Sequence, residues 1–299
     1  MLSFTFLELY VIIISLGVII MIKLVASDLD GTIIDKNNKI NEENFKAINK
    51  INSNGLDFVI CTGKTYPIVK DICNEFNANY GIFGNGNQII DLKTDKVIYT
   101  SFLSQHELNT SIEIAKANNL HIHIYTNNDI ITENLAYMDL RNYKLYEENP
   151  SINFTIVDDI QKYIINNKIN VSQLIISSDN SLEDVKSNIA KKINVSMHLI
   201  KKRGIYKDFI IDKEYEYLDI SPKKTNKNTA LNILGNYLNI NRSEMMSVGD
   251  NLNDYDMIKN SGIGVAVANS YDDLKSVAKY VTKNNVENAG FAEAIYKFL

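Results

Sequence analysis

A short apolar run that ends abruptly in two carboxylates most constrains how this chain can fold. The run spans residues 22–26, and Asp28, Asp30, Gly31 and Thr32 follow it closely. An apolar run of this length, bounded by a turn signal, predicts a buried parallel strand. The carboxylates then lie just past the carboxyl end of the strand, where open α/β sheets bind ligands. A solvated turn is the alternative interpretation, because Asp and Gly are common turn residues.

The close spacing of the two carboxylates also has an electrostatic consequence. Asp28 and Asp30 are separated by a single residue, Leu29. Two such groups at one strand end repel each other, and either a divalent cation or a shared proton would relieve the repulsion.

Strands and helices alternate at both ends of the chain. A second apolar run at 56–61 is followed by a helix predicted over 66–76 and a strand over 80–83. After residue 226 the pattern resumes with a helix at 228–238 and a strand at 245–248, and it ends in a helix at 290–299. This alternation predicts an α/β fold with a doubly wound, Rossmann-like parallel sheet.

The alternation is interrupted between residues 87 and 221. Hairpin-like strand pairs mix there with helices, and we predict a helix over 134–147 and a strand over 208–211 within this stretch. Such mixing is typical of an α+β module with an antiparallel sheet. We therefore predict a core domain made of residues 21–86 and 222–299, and an inserted domain over 87–221.

The first twenty residues form an apolar extension. Glu8 is their one charge, so their length approaches the ~20 apolar residues that a membrane helix needs. They contain no basic n-region typical of a secretory signal, and no linker separates them from the strand before Asp28. Because Met21 would start the chain directly on that strand, we expect residues 1–20 to be dispensable and a membrane anchor to be the less favoured alternative.

Charge and cysteine content exclude some classes of partner. The net charge is −5 and no basic cluster is present, which argues against nucleic acid as a partner. Cys61 and Cys73 have neither metal-ligand nor redox spacing, which is typical of a reducing compartment such as the cytoplasm. The sequence gives no indication of oligomeric state.

Three further groups of polar residues lie just after a predicted strand or at the start of a predicted helix. Thr62 and Gly63 follow the second strand, Lys227 opens a helix, and Asp250 and Asp254 follow the strand at 245–248. Each has an ordinary alternative: a turn, a solvated lysine and a helix N-cap, respectively. Taken together, they predict one cleft, because the carboxyl ends of parallel strands meet at the same edge of a sheet.

Together with the Asp28 and Asp30 pair, these groups of residues resemble the motifs of a known superfamily. The order D-L-D-G-T, T-G-K, N-K-N and G-D-N-L-N-D is similar to that of haloacid dehalogenase-like (HAD) proteins, and in particular to the Cof-type phosphatases, which carry a large cap domain between the second and third motifs. The resemblance runs from Met21 to the carboxyl terminus. It is strong over the core and weak inside the insert.

The resemblance implies a reaction and a cofactor. Asp28 would be the nucleophile that forms an aspartyl-phosphate, and Asp30 the general acid and then base. Mg²⁺ would be held by the Asp28 carboxylate, the Asp30 carbonyl and Asp250.

The remaining motif residues would bind phosphate or support the site. Thr62, Gly63, Lys227 and Asn253 would contact the phosphoryl group, and Lys227 would also offset charge in the transition state. Asp254 would support this arrangement through Lys227 or a metal-bound water.

Two residues depart from the family pattern. Lys64 stands where arginine is common and cannot make a planar bidentate contact, and Asn228 stands where glycine is usual. Neither change removes a core catalytic group.

The implied function is a Mg²⁺-dependent phosphatase for small phosphorylated metabolites, either sugar phosphates or phosphorylated cofactors. A phosphomutase of the same superfamily and a non-catalytic HAD-like binding or regulatory protein are the alternatives. The expected partner is a small phosphorylated substrate, with no nucleic acid and no membrane.

Overall fold

The structure is a computed structural model that describes residues 12–14, 18–126, 129–134, 153–204 and 213–299. Its described residues divide into two compact units. The first contains the described residues up to Gly63 together with Asp71–Tyr99 and Asn226–Leu299, and the second contains Lys64–Lys70 and the described residues from Thr100 to Thr225.

Sixteen strands and nine helices are assigned within these ranges. The strands are β1 (Ile12–Ile14), β2 (Val18–Ile20), β3 (Leu24–Ser27), β4 (Asp57–Cys61), β5 (Tyr80–Phe83), β6 (Gln88–Asp91), β7 (Lys96–Thr100), β8 (His121–Tyr125), β9 (Asp129–Thr132), β10 (Asn153–Ile156), β11 (Gln173–Ser178), β12 (Ser196–Gly204), β13 (Lys213–Ser221), β14 (Met245–Gly249), β15 (Ile263–Ala266) and β16 (Tyr280–Val281). The helices are α1 (Glu42–Ser53), α2 (Tyr66–Glu75), α3 (Gln105–Ala117), α4 (Ile160–Asn167), α5 (Glu183–Lys192), α6 (Lys227–Leu238), α7 (Tyr255–Asn260), α8 (Asp272–Val277) and α9 (Gly290–Phe298).

The first unit is built on an eight-stranded sheet in the order β16-β15-β14-β3-β4-β5-β6-β7. The strands from β16 to β5 pair in parallel, and β6 runs antiparallel to β5. The predicted α/β fold with a parallel sheet is confirmed. We assigned residues 87–221 to the insert, whereas β6 and β7 extend the sheet of the first unit.

The parallel strands are buried because helices cover the sheet. All four residues of β3 are buried, and one face packs into an apolar cluster that includes Leu24 and Ala26 of β3 and Leu231 of α6. The start of α1 is fixed by Asn41, whose side chain accepts a hydrogen bond from the Glu43 N–H. Burial on both faces explains why these strands read as continuous apolar runs in the sequence.

The second unit contains a six-stranded sheet in the order β10-β9-β8-β11-β13-β12. Its pairs are antiparallel except for β9 with β10, which are parallel. A parallel pair requires a long connection, and 20 residues separate β9 from β10. One face of this sheet packs with α3, α4 and α5 into an apolar cluster that includes Ile122, Leu174 and Leu218.

The remaining sequence predictions concern residues that are only partly described. β1 and β2 form an antiparallel pair in which Ile13 lies opposite Ile19, while residues 1–11 and 15–17 of the apolar extension lie outside the described residues. Among the residues that the structure describes, no helix is both long and apolar enough to cross a membrane. The helix predicted over 134–147 falls outside the described residues except for its first residue, and the strand over 208–211 falls entirely outside them.

Candidate active site

Asp28 lies at the carboxyl end of β3, in the middle of the parallel sheet. Its N–H donates to the Val248 carbonyl of the neighbouring strand β14 at 3.0 Å, which continues the pairing one residue beyond the strand. The residue is 6 % exposed. A carboxylate is therefore held at the edge of the sheet where α/β folds bind ligands.

Lys227, the first residue of α6, is buried beside Asp28. The Asn226 side chain accepts from the Thr229 N–H at 2.7 Å and thereby caps this helix. The Lys227 ammonium lies 2.8 Å from Asp28 Oδ1 and 2.6 Å from Asp254 Oδ1, and its side chain is 0 % exposed. The solvated lysine that sequence reasoning kept as an alternative is thus excluded.

Asp254 joins Lys227 to the loop after β14. While Asp254 Oδ1 contacts the ammonium, its Oδ2 accepts from the backbone N–H groups of Asp250 and Asn251, each at 3.1 Å. The residue closes a 3₁₀ turn, Leu252–Asp254, and is fully buried. Because both carboxylate oxygens are engaged, Asp254 holds the loop and the lysine in place.

Asp250 faces the residues that follow β3. Its Oδ1 accepts a hydrogen bond of 2.9 Å from the Thr32 hydroxyl, and Thr32 is fully buried. Gly31 has φ +83°, and a Cβ at this position would lie 2.3 Å from Asp250 Oδ2. Glycine is required here both by the left-handed backbone and by the close approach of the carboxylate.

Asp30 lies at the same strand end but is exposed. Its backbone forms an isolated bridge with Ile34, and its negative charge is one of the influences that raise the pKa of Asp250. The two neighbouring carboxylates of the D-L-D-G-T motif therefore differ in environment, since Asp28 is buried and Asp30 is open to solvent.

Thr62 and Gly63 follow β4, the strand adjacent to β3. The Thr62 carbonyl accepts from the Asn85 N–H at 3.1 Å, and an added Cβ on Gly63 would lie 3.2 Å from Asn85 Oδ1. The same Oδ1 accepts from Asn253 Nδ2 at 2.9 Å. Asn85, in a left-handed conformation with φ 55°, links the loops that carry three of the predicted phosphate-binding residues.

Carboxylates outnumber cations at this site. Oxygens of Asp28, Asp250 and Asp254 all lie within 4.8 Å of one another, in the metal-ligand cluster found among the described residues. Lys227 is the ammonium in contact with two of them, so three ionised carboxylates would leave a formal charge of −2. A hard divalent cation would neutralise this charge, and carboxylate oxygens are its preferred ligands.

Local pKa values follow from this crowding. Burial raises the pKa of Asp28 to about 8 against the opposing effect of Lys227, with Asp254 and Asp250 adding to the rise. Burial and the Asp254 charge likewise raise the pKa of Asp250 to about 6. Desolvation opposes the charge of Lys227, but the two adjacent carboxylates prevail and raise its pKa. Without a metal, crowding therefore makes the Asp28 and Asp250 carboxyls harder to ionise than exposed aspartates, while Lys227 keeps its charge.

Sequence reasoning missed several supporting contacts. Thr32 belongs to the first motif, yet no role was predicted for it or for Asn85. Arg242 was also missed: its guanidinium donates to the Asn228 carbonyl at 2.7 Å and to the Asn228 side chain. The second of these contacts gives the Asn228 side chain a partner. A signal for Thr32 was available, since it closes the D-L-D-G-T motif two residues after Asp30, whereas Arg242 lies in no motif.

A model of the haloacid dehalogenase-like hydrolase family matches residues 25–295. The match begins within β3 and ends within α9. The chain belongs to this family. It is an enzyme, a phosphatase of the haloacid dehalogenase type, as the predictions from the sequence motifs implied.

Individual relatives cover nearly the whole chain. The 5-amino-6-(5-phospho-D-ribitylamino)uracil phosphatase YcsE of Bacillus subtilis is 26 % identical over 277 residues, which cover 92 % of this chain and 94 % of the relative. Phosphatase YwpJ of the same organism is 23 % identical, with 89 % and 96 % covered. A haloacid dehalogenase-like hydrolase from Bacteroides thetaiotaomicron has a similar crystal structure, with a TM-score of 0.74 and 26 % identity over 93 % of this chain and all of that one.

Proposed function

We propose that this protein is a Mg²⁺-dependent phosphatase that hydrolyses small phosphorylated metabolites through an aspartyl-phosphate on Asp28. The observation that carries the proposal is the cluster of Asp28, Asp250 and Asp254, in which Asp28 and Asp254 contact the buried Lys227 ammonium. The phosphatase names of the relatives support it.

The donor set fits a hard divalent cation. The Asp28 and Asp250 carboxylates and the main-chain carbonyl of Asp30 would hold Mg²⁺, whereas Asp254 would act in support because its oxygens already bind Lys227 and two backbone N–H groups. When bound, the cation would offset the negative charge that otherwise keeps an anionic phosphate away from the carboxylates.

In the first half-reaction, a carboxylate oxygen of Asp28 attacks phosphorus. A bond forms from Asp28 to phosphorus and the bond from phosphorus to the substrate oxygen breaks, while Asp30 donates a proton to the departing oxygen. Lys227 orients Asp28 and attracts the phosphoryl oxygens. Thr62, Gly63 and Asn253 hold the same group by hydrogen bonds.

In the second half-reaction, water attacks the aspartyl-phosphate. Asp30, deprotonated by the first step, takes the proton from water as the new oxygen–phosphorus bond forms and the bond to Asp28 breaks. Inorganic phosphate leaves, and both carboxylic residues return to their starting states. The solvent exposure of Asp30 suits this exchange of protons with water and substrate.

Substitution of Asp28 tests the function. We expect Asp28→Asn to lower the rate of phosphate release from 4-nitrophenyl phosphate with Mg²⁺ by more than about a thousandfold, because an amide oxygen is a poor nucleophile. The matched control is Asp272→Asn, an exposed aspartate on α8, which should retain wild-type activity. Undiminished activity of Asp28→Asn, with its fold checked by circular dichroism, would overturn the proposal.

The fate of the phosphoryl group separates hydrolysis from transfer. A phosphatase releases one inorganic phosphate for each alcohol that it produces. If the phosphoryl group instead appeared on a second hydroxyl of the substrate without free phosphate, the phosphomutase alternative would replace the proposal.

A further inference from the structure

A three-residue turn of the first unit contacts three of the loops that carry motif residues. The turn, Gly84–Gly86, directly follows β5, and we call it the Asn85 turn. All three residues are left-handed, with φ of +57°, +55° and +106°. Asparagine and glycine enter this region more easily than other residues, but as single residues rather than in runs. Backbone of this kind is retained where the surrounding structure demands it, often in functional loops.

The main chain of the Asn85 turn is fixed to the loop after β4. The Asn85 N–H donates to the Thr62 carbonyl at 3.1 Å, and the Thr62 N–H donates to the Ile82 carbonyl at 2.9 Å. The Asn85 amide also lies against Gly63, since a Cβ on Gly63 would be 3.2 Å from Asn85 Oδ1 and 3.3 Å from Nδ2. The positions of Thr62 and Gly63 therefore depend on this turn.

The end of the Asn85 turn touches the start of α6. A Cβ on Gly86 would lie 2.4 Å from the Asn226 carbonyl oxygen. This carbonyl accepts from the Ala230 N–H at 3.1 Å, so it belongs to the first turn of the helix that begins at Lys227. The main chain of the Asn85 turn is thus held from two sides without help from the Asn85 side chain.

The Asn85 side chain reaches a third loop. Its Oδ1 accepts from Asn253 Nδ2 at 2.9 Å. Asn85 follows β5, on the β4 side of β3, whereas Asn253 follows β14, on the other side of β3. The hydrogen bond therefore joins loops from both sides of the strand that leads into Asp28.

Asn253 depends on this contact for its orientation. Its side chain is exposed, and within the described part of the chain Asn85 is its hydrogen-bond partner. The neighbouring Asp254 is fully buried and holds the main chain in place, so the Asn253 amide can still turn about its own side-chain bonds. An amide donates through its nitrogen and accepts through its oxygen. Only the nitrogen end attracts a phosphoryl oxygen.

We propose that Asn85 is a positioning residue for phosphate binding. Its side-chain carbonyl holds Asn253 Nδ2 towards the loop of Thr62 and Gly63, so that the second N–H of Nδ2 is available to a phosphoryl oxygen. The inference rests on the proposed function in one respect, since Thr62, Gly63 and Asn253 bind the phosphoryl group there. Asn85 acts through Asn253 and does not need to touch the substrate.

Substitution of Asn85 by glycine tests this inference. Asn85→Gly removes the amide and preserves the turn, because glycine adopts a φ of 55° without strain. We expect the Kd for inorganic phosphate, measured by titration calorimetry with MgCl₂, to rise about tenfold or more, as for a lost hydrogen bond to a charged group. The matched control Asn239→Gly replaces an exposed, left-handed asparagine after α6 and should leave this Kd unchanged.

A double-mutant cycle distinguishes positioning from a general structural role. If Asn85 acts through Asn253, Asn85→Gly should change the Kd by less than about twofold in a chain that already carries Asn253→Ala. Asn85→Asp keeps an oxygen that accepts from Asn253, and aspartate tolerates the left-handed backbone. It should therefore weaken phosphate binding by the same factor with or without Asn253→Ala, because its added charge is then the only change.

An unchanged Kd in folded Asn85→Gly, or no phosphate binding by the wild type, would overturn the inference. So would an equal effect of Asn85→Gly with and without Asn253→Ala, or an effect of Asn85→Asp that disappeared in Asn253→Ala. If the protein released no phosphate from 4-nitrophenyl phosphate, yet Asn85→Gly weakened phosphate binding only when Asn253 was present, the proposed function would fail and the positioning role would stand.

Discussion

Lys227 is a buried cation whose two partners are also buried. Removing one member of such a group leaves the others as uncompensated charges in a poorly solvated site, whereas the net stabilisation of the intact group is modest because desolvation opposes the attraction. The lysine therefore matters to the fold as well as to the chemistry that we propose.

Replacing Lys227 with methionine should destabilise the protein. Since Asp28 and Asp254 would lose their shared cation, we expect the free energy of unfolding without metal to fall by about 3–5 kcal/mol. Urea denaturation followed by circular dichroism measures this. Lys46→Met is the control, because Lys46 is half exposed and pairs with Glu42 and Glu43 on the surface, so it should change little. Equal effects of the two substitutions would contradict the role of burial.

Thr32 should influence metal binding without touching the substrate. Its hydroxyl donates to Asp250 Oδ1 at 2.9 Å and orients that carboxylate. We expect Thr32→Val to weaken the Mg²⁺ affinity about tenfold or more, as is usual when a group that orients a ligand is lost. Thr32→Ser keeps the donor and should bind Mg²⁺ as the wild type does. Calorimetric titration with MgCl₂ distinguishes them, and identical affinities in the valine and serine variants would exclude this role.

Residue-level prediction from the sequence had a clear limit. The motif carboxylates and Lys227 could be singled out because each follows a predicted strand end or opens a helix. Their partners could not, since the Thr32–Asp250 and Asn85–Asn253 contacts join residues that are far apart in the chain. Such pairings depend on how loops fold back above the sheet, and no local pattern encodes them.

At the scale of elements, one carboxylate of the last helix holds that helix to the preceding segment by hydrogen bonds. Glu293 of α9 accepts from the N–H groups of Lys283 and Asn284 and from the Tyr280 hydroxyl, at distances between 2.6 and 3.0 Å. Desolvation raises the pKa of Glu293, but these hydrogen bonds outweigh it, so that the net shift is downward. The carboxylate thereby ties α9 to the segment that follows β16.

The contribution of Glu293 should depend on pH. A carboxyl whose pKa is lowered by folding stabilises the fold at pH values above the pKa that it has in the unfolded chain, about 4.5. This stabilisation is lost as the pH falls through the pKa of the folded state. We expect Glu293→Gln to reduce the free energy of unfolding by about 1 kcal/mol at pH 7 and by much less at pH 3. Urea denaturation at the two pH values measures the difference. If the substitution lowered the free energy of unfolding equally at both pH values, the ionised Glu293 carboxylate would not be the stabilising group.

Elements with continuous apolar runs were the easier ones to predict. β3, β4, β5 and β14 are buried strands of a parallel sheet, and their apolar runs end at polar residues or glycine. β9 and β10 were not predicted, although they are as long as β3 and β5; unlike those strands they belong to the second sheet, where β10 lies at the edge. A short edge strand gains its structure from pairing rather than from its own sequence pattern.

At the scale of the whole molecule, the alternation of strands and helices was sufficient to predict the α/β class. It was not sufficient to place β6 and β7, which extend the large sheet beyond β5: β6 pairs with β5, and β7 lies next to β6. A hairpin-like pair after a parallel strand can extend the same sheet or begin a new one, and the sequence pattern is the same in both cases. The addition makes β7, and not β5, the strand at this edge of the sheet.

Metal removal should affect the stability of the whole protein. If Mg²⁺ binds the carboxylate cluster only in the folded state, Mg²⁺ at about 100 times its Kd should stabilise the protein by about 2.7 kcal/mol. Differential scanning calorimetry with EDTA and with MgCl₂ should show a higher Tm with the metal. Asp250→Asn should lose most of that difference. An equal Mg²⁺-dependent rise in Tm for wild type and Asp250→Asn would show that the ion binds elsewhere.

The central claim is that Asp28 becomes phosphorylated during turnover, and peptide mapping after rapid acid quench tests it most directly. The Asp30→Asn variant lacks the base for the second half-reaction and should accumulate the intermediate. After mixing with 4-nitrophenyl phosphate and MgCl₂, we predict that mass spectrometry finds one added phosphoryl group on the peptide that contains Asp28, and none in Asp28→Asn. A phosphoryl group on another residue would contradict the account. So would turnover by the wild type if no phosphorylated peptide were found in the wild type or in Asp30→Asn.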